Sequence, residues 1–141
     1  MGIVFVCYAR EDLPVVDLMV RKLEERGIVV WFGNRDIRYG ENIHGQIRTA
    51  IRSSSAFLYC ASEATVKRMA GTLFAMEERE ALTRIKSDPS FRVLCVKAGS
   101  DEGSKIPEHF GGRALTNFSR SGDWPEKLSQ LADDIRSALT S

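Results

Sequence analysis

Short β-rich apolar runs alternate with segments of helical period along this chain, and few architectures accommodate that alternation. Ile3–Tyr8 (IVFVCY) is a continuous apolar run, as expected of a strand buried on both faces. Val15, Val16, Leu18, Met19 and Leu23 then recur at helical spacing between Pro14 and Arg26. Asp12 is the candidate N-cap, Pro14 falls in the first turn and Gly27 ends the helix. Ile28–Phe32 is a second strand, and Ile43, Ile47, Ala50 and Ile51 mark a helix that Ser53-Ser54-Ser55 closes. Ala56–Cys60 is a third strand, and a third helix runs from Val66 to Ile85 until Ser87-Asp88-Pro89-Ser90 breaks it. Phe91–Val96 is a fourth strand, Ala114–Phe118 a weaker fifth, and Trp124–Leu139 a closing helix. Strict alternation predicts a three-layer α/β sandwich: a parallel five-stranded sheet with helices on both faces, residues 1–141 forming one domain.

Composition excludes several functional classes. No apolar run approaches the ~20 residues that span a bilayer. The N-terminus MGIVFVCYARED lacks the basic region of a signal peptide, and Cys7 stands where a myristoylation motif has Ser or Thr. The expected location is therefore the cytoplasm, with no membrane partner. Cys7, Cys60 and Cys95 each lie inside an apolar run, which reads as reduced core thiols. The two histidines, His44 and His109, have no partner at metal-ligand spacing, so no metal is expected. Net charge is +1 with cations scattered among acids, which leaves no footprint for direct nucleic-acid binding.

In a parallel α/β sheet, ligands bind beyond the carboxyl ends of the strands. Those ends carry Tyr8-Ala9-Arg10-Glu11-Asp12, the polar loop Gly33–Glu41 and Ser62-Glu63. There is no G-x-G-x-x-G after the first strand and no Walker A lysine loop. A phosphoacceptor aspartate at the end of the third strand is also missing, because Cys60-Ala61-Ser62 stands there.

The stretch FVCYAREDLPVVDLMVRKLEERGIVVWF, followed by RDIRYGENIHGQIRTAIRSSSAFLYCAS, resembles a Toll/interleukin-1 receptor (TIR) domain of the bacterial, NAD-cleaving type. Asp36-Ile37, Gly40, Ala50-Ile51, Ser53-Ser54 and Ser62 fall in the family's register, as do Glu77, Ala81-Leu82 and Asp88–Val93. The resemblance covers nearly the whole chain and implies a flavodoxin-like sheet of the TIR type. It implies cleavage of NAD⁺ at the nicotinamide–ribose bond, with NAD⁺ as substrate and no separate cofactor. The family glutamate falls on Glu77.

Helical geometry singles out the same residue. At ~100° per residue, Glu77 lies roughly 40° from Leu73 and Ala81, within the stripe of Ala70, Leu73, Phe74, Ala81 and Ile85. A carboxylate in an apolar stripe is a functional-site candidate, whereas Glu78 and Glu80 fall at its edges, toward solvent. The bland alternative pairs Glu77 with Arg84 or Lys97. Leu73 occupies the place of the family's aromatic, with Phe74 beside it to supply a stacking face. Tyr8, Ala9 and Arg10 form the rim of the first strand; Arg10 contacts a phosphate or ribose, or is a solvated charge. Of Trp31 and Phe32, opposite parity sends one to the core, the expectation for Trp31, and the other toward the nucleotide. Asp36 and Ser54 complete the candidate binding set, although Ser54 most simply ends its helix, and Ser62 is a strand-end polar group or equally an N-cap. The resemblance further implies head-to-tail self-association through the Gly33–Glu41 loop, and a sensor domain or partner protein in a longer chain serving cell defence. Two rivals stay open: a non-enzymatic TIR adaptor, and a nucleoside deoxyribosyltransferase of related fold.

Overall fold

Among the described residues four strands, β1 (Ile3–Cys7), β2 (Val29–Trp31), β3 (Ala56–Ala61) and β4 (Arg92–Lys97), pair in parallel in the order β2-β1-β3-β4. The computed structural model describes residues 2–67, 72–99, 105–110 and 124–140. The fifth strand expected over Ala114–Phe118 lies outside the described residues. The helices are α1 (Leu13–Glu25), α2 (Gly33–Asp36), α3 (Ile43–Ser53), α4 (Glu63–Lys67), α5 (Thr72–Ser87) and α6 (Trp124–Thr140). The described parts of the helix expected over 66–85 fall in α4 and α5, residues 68–71 lying outside the described residues, and the loop expected at 33–41 begins with a helical turn.

Local chemistry explains these boundaries. Pro14 sits in the first turn of α1, where its missing N–H is no loss. Gly27, at φ +81°, closes that helix: its N–H reaches Glu24 O at 3.0 Å and the Ile28 N–H reaches Leu23 O at 3.1 Å. This is a Schellman ending, with Ile28 packed in the same cluster as Leu23. Asp12 precedes α1 without capping it; its buried carboxylate accepts a hydrogen bond from Ser62 Oγ instead. Ser62 also takes the N–H groups of Ala64 and Thr65, at 3.1 and 3.2 Å, and so caps α4.

Alternate strand residues feed two separate cores. Val4 and Val6 of β1, with Val30, Leu58 and Leu94, pack under α1 and α6. Phe5 and Cys7, with Phe57, Tyr59, Val93 and Cys95, face α3, α5 and Phe110. Phe5 lies beside Trp31 and Phe57 in register, and the three rings stack at 5.1 and 5.5 Å with interplanar angles of 9° and 5°. The chain leaves β1 for β2 on one side and returns to β3 on the other. A crevice is therefore expected above the carboxyl end of β1.

Candidate functional site

A cleft of about 380 Å³ occupies that position. Its walls are Tyr8, Ala9 and Arg10 after β1, Trp31, Gly33 and Asn34 at the end of β2, Ile43 and Ile47 of α3, and Glu77 of α5. Tyr39 leans over it from the loop before α3. The residues come from five segments because each element begins or ends at the same rim of the sheet.

Glu77 is half-buried, and burial raises its carboxyl to about 8. A hydrogen bond from the Cys7 thiol opposes that shift and the nearby Glu78 charge adds to it. Cys7, fully buried at the end of β1, is pushed well above the ordinary thiol range, first by burial and then by Glu77. Burial thus favours the protonated form of both groups, the Glu77 carboxyl and the Cys7 thiol, at this end of the cleft. Tyr8 is raised to about 12 by burial, against the Asn34 backbone N–H that its hydroxyl accepts. Arg10 is exposed and is the one cation among the described lining residues.

The fold brings Glu77, Tyr8, Ala9 and Arg10 together in the cleft and sends other expected site residues elsewhere. Phe32 is 2% exposed in the α1–α6 core, where it meets the Tyr8 ring at 5.3 Å; Trp31 is the one that lines the cleft. The parity reading was sound, but which face looks at α1 depends on the handedness of the crossover. Asp36 turns away: it accepts from the Phe32 N–H at 2.8 Å and from Arg35 at 3.0 Å. Burial raises the Asp36 carboxyl, but those two donors outweigh it and hold the group below its ordinary value. It borders a separate hollow of about 510 Å³ with Arg38, Glu41 and Gln46, on the far side of Trp31. Ser54 is buried, donating to Ala50 O at 2.6 Å, and Ser55 meets the start of β1 at Ile3 O. Because α3 runs antiparallel to the strands, its last turn lies at the opposite end of the sheet from Glu77. Leu73 and Phe74 begin α5, but their side chains lie outside the described residues.

The acidic face of α5 also differs from expectation. Glu78 points inward and is 8% exposed. Glu80 is drawn to α3 by Arg48 at 3.0 Å and Arg52 at 3.5 Å. Arg84, offered above as a partner for Glu77, instead donates to the Ile51 and Arg52 carbonyls at 2.9 and 2.6 Å and to Asp88 at 3.0 Å. Its guanidinium lies 4.4 Å over Phe91. Sequence reasoning missed Asn34, Ile37, Tyr39, Ile43 and Ile47 as cleft residues, all of them within or just after the Gly33–Glu41 loop. Among the described residues there is no group of three or more His, Cys, Asp or Glu able to hold a metal, and no helix long and apolar enough to cross a membrane.

A parallel α/β sheet with a partly buried acid at its switch point describes a broad class of nucleotide-handling and signalling domains. Within it the chain belongs to the TIR domain family, whose match spans residues 4–132. Among solved structures it is similar to the TIR domain of a Toll-related receptor from Hydra magnipapillata, with TM-score 0.63, 22% identity, and 94% of this chain and 97% of that one covered. A TIR-STING receptor from C. gigas aligns with TM-score 0.57 and 18% identity over 98% of this chain, which spans 40% of the receptor. A flavoprotein from Thermotoga maritima aligns with TM-score 0.52 and 16% identity, over 97% of this chain and 35% of that one. At these identities the likeness is one of fold. No curated protein matches the chain.

Proposed function

We propose that this domain is an NAD⁺ nucleosidase that cleaves the nicotinamide–ribose bond, with Glu77 as the catalytic carboxylate. The observation that carries this reading is a half-buried acid in a cleft of about 380 Å³, with no cation among the described groups that act on it. Such an acid is held in reserve for a positive charge. The nicotinamide of NAD⁺ is a cationic pyridinium, and its arrival beside Glu77 favours the carboxylate over the acid. Nicotinamide departs as a neutral molecule with the electron pair of the C–N bond, so no general acid is needed. The ribose is left as an oxocarbenium-like centre that the carboxylate stabilises. Water then adds to that carbon and gives up a proton, or an adenine nitrogen of the same ADP-ribose closes the ring. Arg10, the exposed cation of the cleft, suits the pyrophosphate or the ribose.

With Glu77 near 8 in the free domain, kcat/KM rises with pH through about 8 and levels beyond it. Concentrated protein is expected to release nicotinamide from NAD⁺ in a chromatographic assay, and Glu77→Gln to lose at least ~100-fold of that rate. No release even from forced oligomers would sink the reading.

The second reading, a non-enzymatic adaptor, is favoured by Tyr39. This ring is 76% exposed on the loop that Gly40 turns at φ +92°. A large exposed aromatic on a turn is a ready anchor for another subunit. The two readings combine if head-to-tail self-association through this loop activates the cleft, with a sensor or partner protein as trigger in defence signalling. Feeding deoxynucleosides separates the deoxyribosyltransferase alternative.

A further inference from the structure

Beyond Tyr8 the rim of the cleft is a single turn. Arg10–Asp12 form a 3₁₀ turn, closed by the Asp12 N–H on Ala9 O at 2.9 Å and by the Leu13 N–H on Arg10 O. Ala9, Arg10 and Leu13 line the cleft from it. Arg10 is exposed, so the reach of its guanidinium is set by the backbone that carries it. Asp12 is the buried residue of the turn, and its carboxylate accepts a hydrogen bond from the Ser62 hydroxyl just past the end of β3. Asp12 stands at the N-cap position of α1 and makes no capping bond there. The cap that an aspartate ordinarily supplies to its own helix is given up for a bond to another strand end.

That partner is itself rigidly held. Ser62 is fully buried, and its hydroxyl donates to Asp12 while accepting the Ala64 and Thr65 N–H groups at 3.1 and 3.2 Å. Thr65, also fully buried, returns the grip: its hydroxyl accepts the Ser62 N–H and donates to Ser62 O, both at 2.9 Å. The cluster fills the place where β1 and β3, paired as far as Cys7 and Tyr59, hand over to α1 and α4. A buried polar cluster so connected fixes one geometry, where apolar contacts would tolerate several.

We propose that Asp12 and Ser62 are positioning residues for the cleft: their bond braces the turn over residues 9–13 against the end of β3 and so aims Arg10 at an anionic group of the ligand, the pyrophosphate of a dinucleotide. A loose turn spreads the guanidinium over many positions, and ordering it again on binding weakens the grip on the phosphates. The bond to be broken lies at Glu77 on another element, so the effect falls on KM and spares kcat. The pyrophosphate rests on the nucleosidase reading; the bracing of the turn does not.

The test uses the whole chain with ADP-ribose, which keeps the pyrophosphate and has no nicotinamide to lose. Asp12→Ala removes the brace and leaves the Ser62 hydroxyl to cap α4, whereas Asp12→Asn keeps an acceptor for it. The Kd for ADP-ribose, and KM for NAD⁺, are expected to rise about tenfold in Asp12→Ala and to stay within about twofold in Asp12→Asn, with kcat little changed in either. A wild-type Kd in Asp12→Ala overturns the proposal. The second arm is a cycle with Arg10→Ala. Once Arg10 is gone the brace has nothing to aim, so the double variant binds ADP-ribose no more weakly than Arg10→Ala alone. Additive losses mean that Asp12 acts through stability only, and overturn it too. Amide exchange reads the brace without any ligand: the Leu13 N–H should exchange at least ~10-fold faster in Asp12→Ala. Should that variant not fold, the wild type decides, because a Leu13 amide exchanging at the rate of an open loop overturns the brace. Faster exchange in Asp12→Ala, with no binding of ADP-ribose by the wild type, would remove the nucleosidase reading and leave the brace standing.

Discussion

The two faces of one sheet are built to different rules. Under α1 and α6, β1 offers Val4 and Val6 to a cluster that runs from Val16 and Leu23 to Leu131 and Ile135, with the Cys60 thiol inside it and the Asp12 carboxylate near that thiol. Under α3 and α5 the same strand offers Phe5 and Cys7, the sheet adds stacked rings and a second buried thiol, Cys95, and α5 contributes Glu77 at the cleft and the buried Glu78. The second face holds its functional groups at a cost, because a carboxyl against an apolar surface forgoes hydration. Stability and chemistry are thereby separated by side-chain parity along a single strand.

That contrast breaks most directly on the first face. Leu23 is fully buried beneath α6, so Leu23→Ala opens a cavity and is expected to remove about 4 kcal/mol of unfolding free energy. Chemical denaturation measures it, and the pH profile of whatever activity remains should not move. A shifted profile would mean the faces are coupled through the sheet.

On the second face the sign reverses. The folded-state value for Glu77, about 8, lies above its ordinary 4.5, so between those values the native state binds the extra proton. Unfolding free energy therefore falls as pH climbs from about 4.5 to about 8 and is flat above. Glu77→Gln does not titrate and escapes this loss. The variant is expected to equal wild type near pH 4 and to exceed it by about 2 kcal/mol at pH 8, allowing for partial exposure. Urea unfolding at the two pH values checks this; a variant less stable at pH 8 would show that Glu77 is satisfied and structural. A gain in stability on removing a group is the mark of a site kept for function.

How much of this was legible in the sequence differs between the faces. The apolar face was almost fully readable, since continuous runs and helical spacing report burial without needing to know which side is which. Glu77 stood out for the same reason, as a charge interrupting a stripe. What stayed hidden depended on the third dimension. Trp31 and Phe32 have opposite parity in any strand, but only the crossover decides that Phe32 joins Val30 under α1. Ser54 read most simply as a helix end, and it is one; the nucleotide contact that the family resemblance offered it fails because α3 runs back to the amino ends of the strands. Glu78 lay at the edge of the stripe, and the inward turn of the α5 face decided its burial. Asp36 read as a candidate binding acid, whereas Phe32 N–H and Arg35 make it the brace of a one-turn helix inside a loop.

The smallest expected effect probes where the second face joins the loop at its rim. Asn42 starts α3, its side-chain oxygen accepting the Gly45 N–H at 3.0 Å, directly after the loop that carries Tyr39. Asn42→Ala removes that cap and should lower unfolding free energy by about 1 kcal/mol. Asn42→Asp keeps the acceptor and adds a charge that the helix N-terminus favours, so it should match or slightly exceed wild type. Global unfolding cannot distinguish a loss at the rim from a loss in the core, but amide hydrogen exchange can. If the faces are as separate as their side chains suggest, Asn42→Ala speeds exchange in the first turn of α3 and leaves α1 unchanged. Faster exchange in both would mean that α3 anchors the whole sheet, and the site face would then be as much a part of the scaffold as the apolar one.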